Sequence, residues 1–362
     1  MKKTETTADF DGLKNTQEVP KRVTCWLPAP WTIDLGSVDT VCSGCLNNVR
    51  NKGVRVPGDP VFRDDRMYFD YSECSSCGTL DIIEIPTGLS DFYDNSYYSF
   101  QAEPALGVKG IMRRMRNAAE VFETGVIGRA LAKYARSHRM RLLQPLVKGE
   151  IGDPLNRNSA ILDIGCGSGA WLKTLHEIAF ADLTGIDPFM SHSVDKAGLR
   201  LMAAEIEDVD RSFDLISCSH ALEHMENPEQ ELSKMAGKLA PGGCILLRIP
   251  LAQSYAWRKY GGEWVQLDAP RHLHLYTPKG IHLLAARAGL SIRKTVFDSG
   301  EMTILGSEAR IAGNSPHQRN RDFPSYAETM AAFGNRRGRK IAREINRLEA
   351  ADQASFYMQL LQ

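Results

Sequence analysis

The stretch Ile161-Leu162-Asp163-Ile164-Gly165-Cys166-Gly167-Ser168-Gly169 constrains this chain more than any other. A run that suits a buried strand breaks into three alternating glycines, and helical sequence opens at Ala170-Trp171-Leu172. Glycine has no Cβ, so the backbone here can come within contact distance of a ligand. The helix start behind it offers N–H groups that have no partner inside the helix. Strand, glycine turn and helix in this order predict an α/β fold with a nucleotide-like cofactor at the turn.

Asp163 narrows the choice of cofactor. A dinucleotide site sets the helix N-terminus against a pyrophosphate, and an acid just before the glycines would repel it. The pattern D-x-G-x-G-x-G instead suits a cofactor with positive charge, such as the sulfonium and ammonium of S-adenosylmethionine. The sequence also fits G-x-G-x-x-A, so a dinucleotide stays open on pattern alone. Further on, Leu183-Thr184-Gly185-Ile186-Asp187 predicts a second strand ending in an acid. An acid at that place can accept both ribose hydroxyls of an adenosyl group.

Three more blocks follow in order. Phe213 to Ser219 reads as a further strand, Ala221-Leu222-Glu223-His224-Met225 follows it, and Leu239-Ala240-Pro241-Gly242-Gly243 turns into the strand Cys244 to Pro250. With these blocks, residues 158–312 resemble a class I S-adenosylmethionine-dependent methyltransferase. The resemblance implies a doubly wound, mostly parallel, seven-stranded α/β sheet. The expected strands are 159–165, 182–187, 199–204, 213–219, 243–249, 291–298 and 302–309. Helices are expected near 169–179, 228–240 and 278–288, and over a short helical tail at 324–361. The resemblance also implies cofactor contacts from Asp163, Gly165, Gly167, Gly169 and Asp187. Glu205 and Ile206 match the family's adenine position, where Asp or Asn is frequent, and Ser219 falls near the methionyl part.

Two cysteine pairs precede this region. Cys42-x-x-Cys45 and Cys74-x-x-Cys77 are separated by 28 residues. Each pair sits in a knuckle-like turn, and two such turns brought together give the four thiolates of a closed structural zinc site. Two redox pairs or unligated thiols are the alternatives. A small zinc-ribbon-like module over 36–100 is therefore expected, then a helical linker over 101–157, the cofactor domain over 158–312 and a tail over 313–362. The module followed by Leu89-Ser90-x-Phe92-Tyr93-x-x-x-Tyr97-Tyr98 is similar to bacterial sugar C-methyltransferases and surface-polysaccharide methyltransferases. That likeness implies substrate-facing tyrosines, among them Tyr98.

Methyl transfer to a hydroxyl or carbon acid needs a positioned base. It should rise from the loop after Ser219, which offers His220 and the pair Glu223-His224. By resemblance His224 is the preferred base and Glu223 its orienting or substrate-touching neighbour. His220 to His224 also fits H-x-x-E-H, but that zinc-protease pattern needs a continuous helix, and this one follows a strand. Tyr255 to Thr277 carries Trp257, Tyr260, Trp264, Asp268, Arg271, His272, His274 and Tyr276. It is read as a substrate lid, with His272 as the second candidate for proton transfer or substrate contact.

Charge and composition limit the partners. The 44 Lys and Arg balance 44 Asp and Glu, so no global field draws the chain to nucleic acid. Residues 1–100 hold 10 Lys and Arg against 15 Asp and Glu, which argues against an RNA-binding zinc module. Residues 108–150 reverse the sign, with 10 against 3. They read as amphipathic helix, a joint between domains or a face for an anionic substrate or a membrane surface. No apolar run of membrane-spanning length and no apolar leader stands out, so a cytoplasmic protein is expected. The acceptor expected first is a sugar or nucleotide-linked sugar. A quinone or other small-molecule O-methyltransferase, a zinc-bearing rRNA methyltransferase and a cofactor-binding scaffold are the alternatives.

Overall fold

The computed structural model describes residues 32–46, 48–58, 67–92, 107–311 and 335–361. The chain opens with β1 (Ile33–Val41), β2 (Asn48–Pro57), β3 (Tyr68–Glu73) and β4 (Leu80–Ile82). Four helices follow: α1 (Gly107–Phe122), α2 (Val126–Tyr134), α3 (His138–Arg141) and α4 (Gln144–Val147). The centre runs β5 (Ala160–Ile164), α5 (Ala170–Glu177), β6 (Asp182–Ile186), β7 (Val194–Lys196), β8 (Leu199–Met202), β9 (Phe213–Ser219), α6 (Pro228–Gly237) and β10 (Leu239–Pro250). The chain then passes through α7 (Tyr255–Tyr260), β11 (His274–Leu275), α8 (Pro278–Arg287), β12 (Leu290–Phe297), α9 (Met302–Ile311), α10 (Asn335–Arg347) and β13 (Gln353–Leu360).

The large sheet has the order β12-β13-β10-β9-β5-β6-β8-β7. Its centre is parallel: β5 pairs with β6 and β9, β6 with β8, and β9 with β10. Helices lie on both faces, so the central strands are buried on both sides and read as near-continuous apolar runs. Ile161, Leu162, Leu215, Ile216, Ile245 and Leu247 are fully buried. One apolar cluster packs α6 and α8 against one face, and another packs α5 with residues 140–155 against the other.

Two expectations for this sheet need correction. Residues 302–309 are not the seventh strand but most of α9. A short apolar run cannot by itself separate a buried strand from a buried helix, and nearly every position from Thr303 to Arg310 is buried here. The missing strand is β13, inside the stretch expected to be a helical tail. It runs antiparallel between β10 and β12, and Ala354, Phe356, Tyr357 and Met358 are fully buried. The expected domain limit at 312 thus falls before β13, which lies inside this sheet next to its edge. Helices α9 and α10 belong to an insertion between the last two strands. A short eighth strand, β7, pairs antiparallel with β8 at the far edge.

The cysteine module forms a second, five-stranded sheet in the order β1-β2-β3-β4-β11. Its last strand comes from the stretch expected to be a lid, with His274 opposite Asp81 and Leu275 opposite Leu80. That stretch is not a flap. Trp257, Tyr260, Trp264, Leu267 and Leu275 are buried with Val54, Val56, Tyr71 and Leu80 of the module. The aromatics form the core that joins the two sheets. Arg287 of α8 also donates to the carbonyls of Ser43 and Gly44 at 2.9 and 2.8 Å.

Candidate functional site

The glycine turn after β5 is held from behind. The N–H groups of Gly165 and Cys166 donate to the Ile186 carbonyl at the end of β6. Asp187, next along, accepts the Gly167 N–H at 2.9 Å through Oδ2 and the Phe189 N–H at 2.9 Å through Oδ1. Two glycines are obligatory on geometry. Gly165 has φ +67 and a Cβ there would lie 2.5 Å from the Ala221 side chain; Gly169 has φ +70 and would meet Leu201 at 2.3 Å. An L-residue is strained at such φ even before the clash.

In front of the turn lies a cavity of about 350 Å³ lined by Arg139, Asp163, Gly165, Gly167, Ser168, Trp171, Ser217, Ser219, His220 and Arg248, among others. Asp163 is buried, and burial pushes its carboxyl up to about 7, partly offset by Ser217 and Arg139. A positive ligand in this cavity would restore its charge. Asp163, Gly165, Gly167 and Ser219 therefore line one cavity, whereas Gly169 and Asp187 are not among its lining residues. Glu205 and Ile206 are not among its lining residues. They begin a single 3₁₀ turn, where Glu205 takes part in a capping box with Asp208 and Ile206 is buried in the sheet core.

A larger cavity of about 1070 Å³ adjoins it. Leu142, His220 and Arg248 line both. His220 follows the last residue of β9 with φ +55, a conformation costly for a residue with a Cβ and common at functional sites. Arg248 donates to His220 Nε2 at 2.7 Å. A guanidinium has only donors, so Nε2 accepts and the neutral ring carries its proton on Nδ1. That atom lies 3.3 Å from Glu223 Oε1. Burial works to raise the Glu223 carboxyl, but His220, His224 and His272 around it win and hold it down to about 2.

Arg248 is fixed in turn. Its Nε donates to Asp298 Oδ2 at 2.8 Å, and His138 Nε2 lies 2.7 Å from the same oxygen. Burial opposes the charge on Asp298, yet Arg248 and His138 keep its carboxyl well below the usual carboxylate range. The chain Glu223, His220, Arg248, Asp298, His138 thus ties β9, β10, β12 and α3 together along the boundary of the two cavities.

His224 does not share that boundary. Its Nδ1 donates to the Arg271 carbonyl at 2.8 Å, and its ring meets His272 edge-on at 4.7 Å between centroids. His272 lines the larger cavity, and its Nδ1 donates to the Gln266 carbonyl at 2.8 Å. Burial first, then His224, pushes the His272 imidazole down to about 4. Glu223 and the two histidines lie close together, while Tyr98 falls outside the described residues. The sequence offered His220 only as one member of the loop after Ser219, and it did not single out Arg139, Arg248, Asp298 or His138. Arg139 and His138 looked like part of a basic helical surface, and nothing local marks Asp298.

The four cysteines come together. Cys42 and Cys77 Sγ are 3.4 Å apart, Cys45 and Cys74 Sγ 3.5 Å, and all four lie within 4.8 Å of one another. They are thiols rather than disulfides. Zn–S bonds of about 2.3 Å set sulfur–sulfur edges of roughly 3.8 Å, so these separations suit a metal with small outward shifts.

Residues 133–295 match the family model of a methyltransferase domain. A ubiquinone biosynthesis O-methyltransferase of Hydrogenovibrio crunogenus is 27% identical over 155 residues, covering 38% of this chain and 64% of that protein. One of Dechloromonas aromatica is 30% identical over 132 residues, covering 32% of this chain and 56% of that protein. The chain thus spans less than two thirds of these relatives' length. Among solved structures, a SAM dependent methyltransferase from Archaeoglobus fulgidus overlays with TM-score 0.38 and 18% identity, covering 67% of this chain and 97% of that one. A mycolic acid cyclopropane synthase overlays with TM-score 0.39 and 17% identity, covering 61% and 85%. Residues 133–295 thus carry a methyltransferase domain, in line with the order of the sequence motifs.

Proposed function

We propose that this protein transfers a methyl group from S-adenosylmethionine to a hydroxyl of a small molecule. The observation that carries this reading is His220, which lines both the cavity at the glycine turn and the larger cavity beside it. Bound S-adenosylmethionine would supply an electrophilic methyl group. In this reading Asp163 faces its cationic part, Arg139 offers a partner for its carboxylate, and Asp187 fixes the glycine turn. The acceptor occupies the larger cavity. Its hydroxyl replaces Arg248 at His220 Nε2 and gives up its proton there, while Glu223 stabilises the imidazolium that forms. His272 acts from the acceptor side, with His224 packed against its ring.

Two acceptor classes have support. The names of the relatives favour a phenolic quinone precursor. The lining of the larger cavity favours a sugar or nucleotide-linked sugar, because Gln144, Gln266, Asn346, Arg141, Lys294 and Arg343 suit hydroxyls and anionic groups. The cysteine cluster is read as a structural zinc site, since four thiolates leave no open coordination position. Helices α1 and α2 expose Val108, Ile111, Val126 and Ile127 on segments that also carry Lys109, Arg129 and Lys133. That pattern supports peripheral contact with an anionic membrane surface. No helix among the described residues is long and apolar enough to cross a membrane.

The test is calorimetry of S-adenosylmethionine on wild type and Asp187→Ala, with zinc measured on the same preparation. Micromolar binding that the variant loses, with about one zinc per chain, supports cofactor and module together. Turnover with catechols against nucleotide sugars then separates the acceptor classes. No binding by folded, zinc-loaded protein would overturn the reading.

A further inference from the structure

The turn after β9 and the stretch before β11 bring three metal-capable side chains to one point. One ligand atom each from Glu223, His224 and His272 lies within 4.8 Å of the other two. We propose that these residues form a second metal site, distinct from the cysteine cluster, for a first-row divalent cation such as Co²⁺, Fe²⁺ or Zn²⁺.

The donor set and its surroundings argue for this. Both imidazoles are fixed through Nδ1 on backbone carbonyls, His224 on Arg271 and His272 on Gln266. A carbonyl only accepts, so Nδ1 carries the proton in each ring and the lone pair of the neutral ring sits on Nε2. This is the arrangement that orients metal-bound histidines. Glu223 is fully buried, and neither carboxylate oxygen has a well-formed hydrogen bond. Beside it stand imidazoles that are neutral in this arrangement, with His220 Nδ1 at 3.3 Å and His272 Nε2 at 3.9 Å. Leaving a buried carboxylate so poorly satisfied is costly, and a cation is the partner that the geometry lacks. A carboxylate has about four lone-pair directions, so it can serve the metal and His220 together.

Two imidazoles and one carboxylate select transition metals over Mg²⁺ or Ca²⁺. Three protein ligands leave positions open, as catalytic rather than structural sites do. His272 lines the larger cavity, so an acceptor hydroxyl could take an open position. Coordination there would lower the hydroxyl pKa before His220 accepts the proton. That role rests on the acceptor-cavity reading, whereas metal binding does not.

Cobalt separates this site from the thiolates. The full chain is loaded with zinc at the cysteine cluster and titrated with Co²⁺ by calorimetry and absorption spectroscopy. One further Co²⁺ per chain is expected, with weak visible bands and no thiolate charge-transfer band in the near ultraviolet. His224→Ala and His272→Ala should each weaken it at least about 30-fold, and Glu223→Gln, which keeps the side-chain volume, about 10-fold. Wild type that binds no further Co²⁺, or binds it equally well in the folded variants, would overturn the site. Should an alanine variant fail to fold, Glu223→Gln decides by the same readout. S-adenosylmethionine binding measured on the same protein keeps the two readings apart: cofactor bound without Co²⁺ removes only the metal site.

Discussion

The two cavities that meet at His220 are built in different ways. The smaller one stands on the backbone of one motif, Asp163 to Gly169, tied to the adjoining strand end by Asp187. The larger one is assembled from side chains spread between His138 and Tyr357. A common cofactor can be held by a short backbone motif, because its fixed shape needs close approach more than side-chain variety. An acceptor site must present chosen groups at chosen places, and these come from wherever the fold brings chain together.

The largest effect should come from the residue the cavities share. His220→Ala is expected to lower kcat by about 10²- to 10⁴-fold while the calorimetric affinity for S-adenosylmethionine changes little. A variant that turns over normally would break the comparison at its hinge. Next in size is the dependence of the acceptor side on the last strand. Phe356→Ala should destabilise the protein by about 3–5 kcal/mol through the cavity it leaves, read as a lower denaturation midpoint with an unchanged slope. A loss under about 1 kcal/mol would mean that β13 does not carry the sheet.

On the proposed cofactor side, Arg139→Ala is expected to remove one charge-assisted contact from the smaller cavity. Affinity for S-adenosylmethionine should fall about 10- to 100-fold, with kcat at saturation nearly preserved. Loss of kcat alone would move Arg139 to the acceptor side. The pH dependence of binding gives a smaller signal. Asp163 is raised to about 7 in the fold, against the usual 3.8. Between these values the folded protein keeps a proton that the unfolded chain has lost, so stability falls as pH rises through that window. A cationic ligand prefers the ionised acid, so affinity should climb several-fold from pH 6 to 8 with proton release. Asp163→Asn should flatten the profile, and a flat wild-type profile would remove Asp163 from the cationic contact. The smallest effect concerns the outer surface. Ile127→Ser should lower co-sedimentation with anionic vesicles a few-fold, leaving both cavities untouched; equal sedimentation would argue against a membrane face.

The sequence by itself determined what depends on local rules. The turn at Gly165 and Gly169 needs positive φ and space, and only glycine supplies both, so the motif could be read directly. The parallel strands β5, β6, β8 and β9 announced themselves as short, largely apolar runs. The cysteine spacing likewise predicted a cluster, because two knuckle turns offer few other uses for four thiols.

Only tertiary structure decided the rest. Whether Met302–Ile311 or Gln353–Leu360 enters the sheet depends on which gap between β10 and β12 is filled, and burial on all sides erases the periodicity that separates strand from helix. The apparent lid became a joint because Leu80 needs an edge partner and Trp257, Tyr260 and Trp264 need a core. His220, unlike its neighbour His224, lines both cavities, held there by Arg248 and through it Asp298, which lie 28 and 78 residues further along. Long-range pairing of charges leaves no periodic trace in a sequence, and it took the sheet to bring those side chains to the wall between the two cavities.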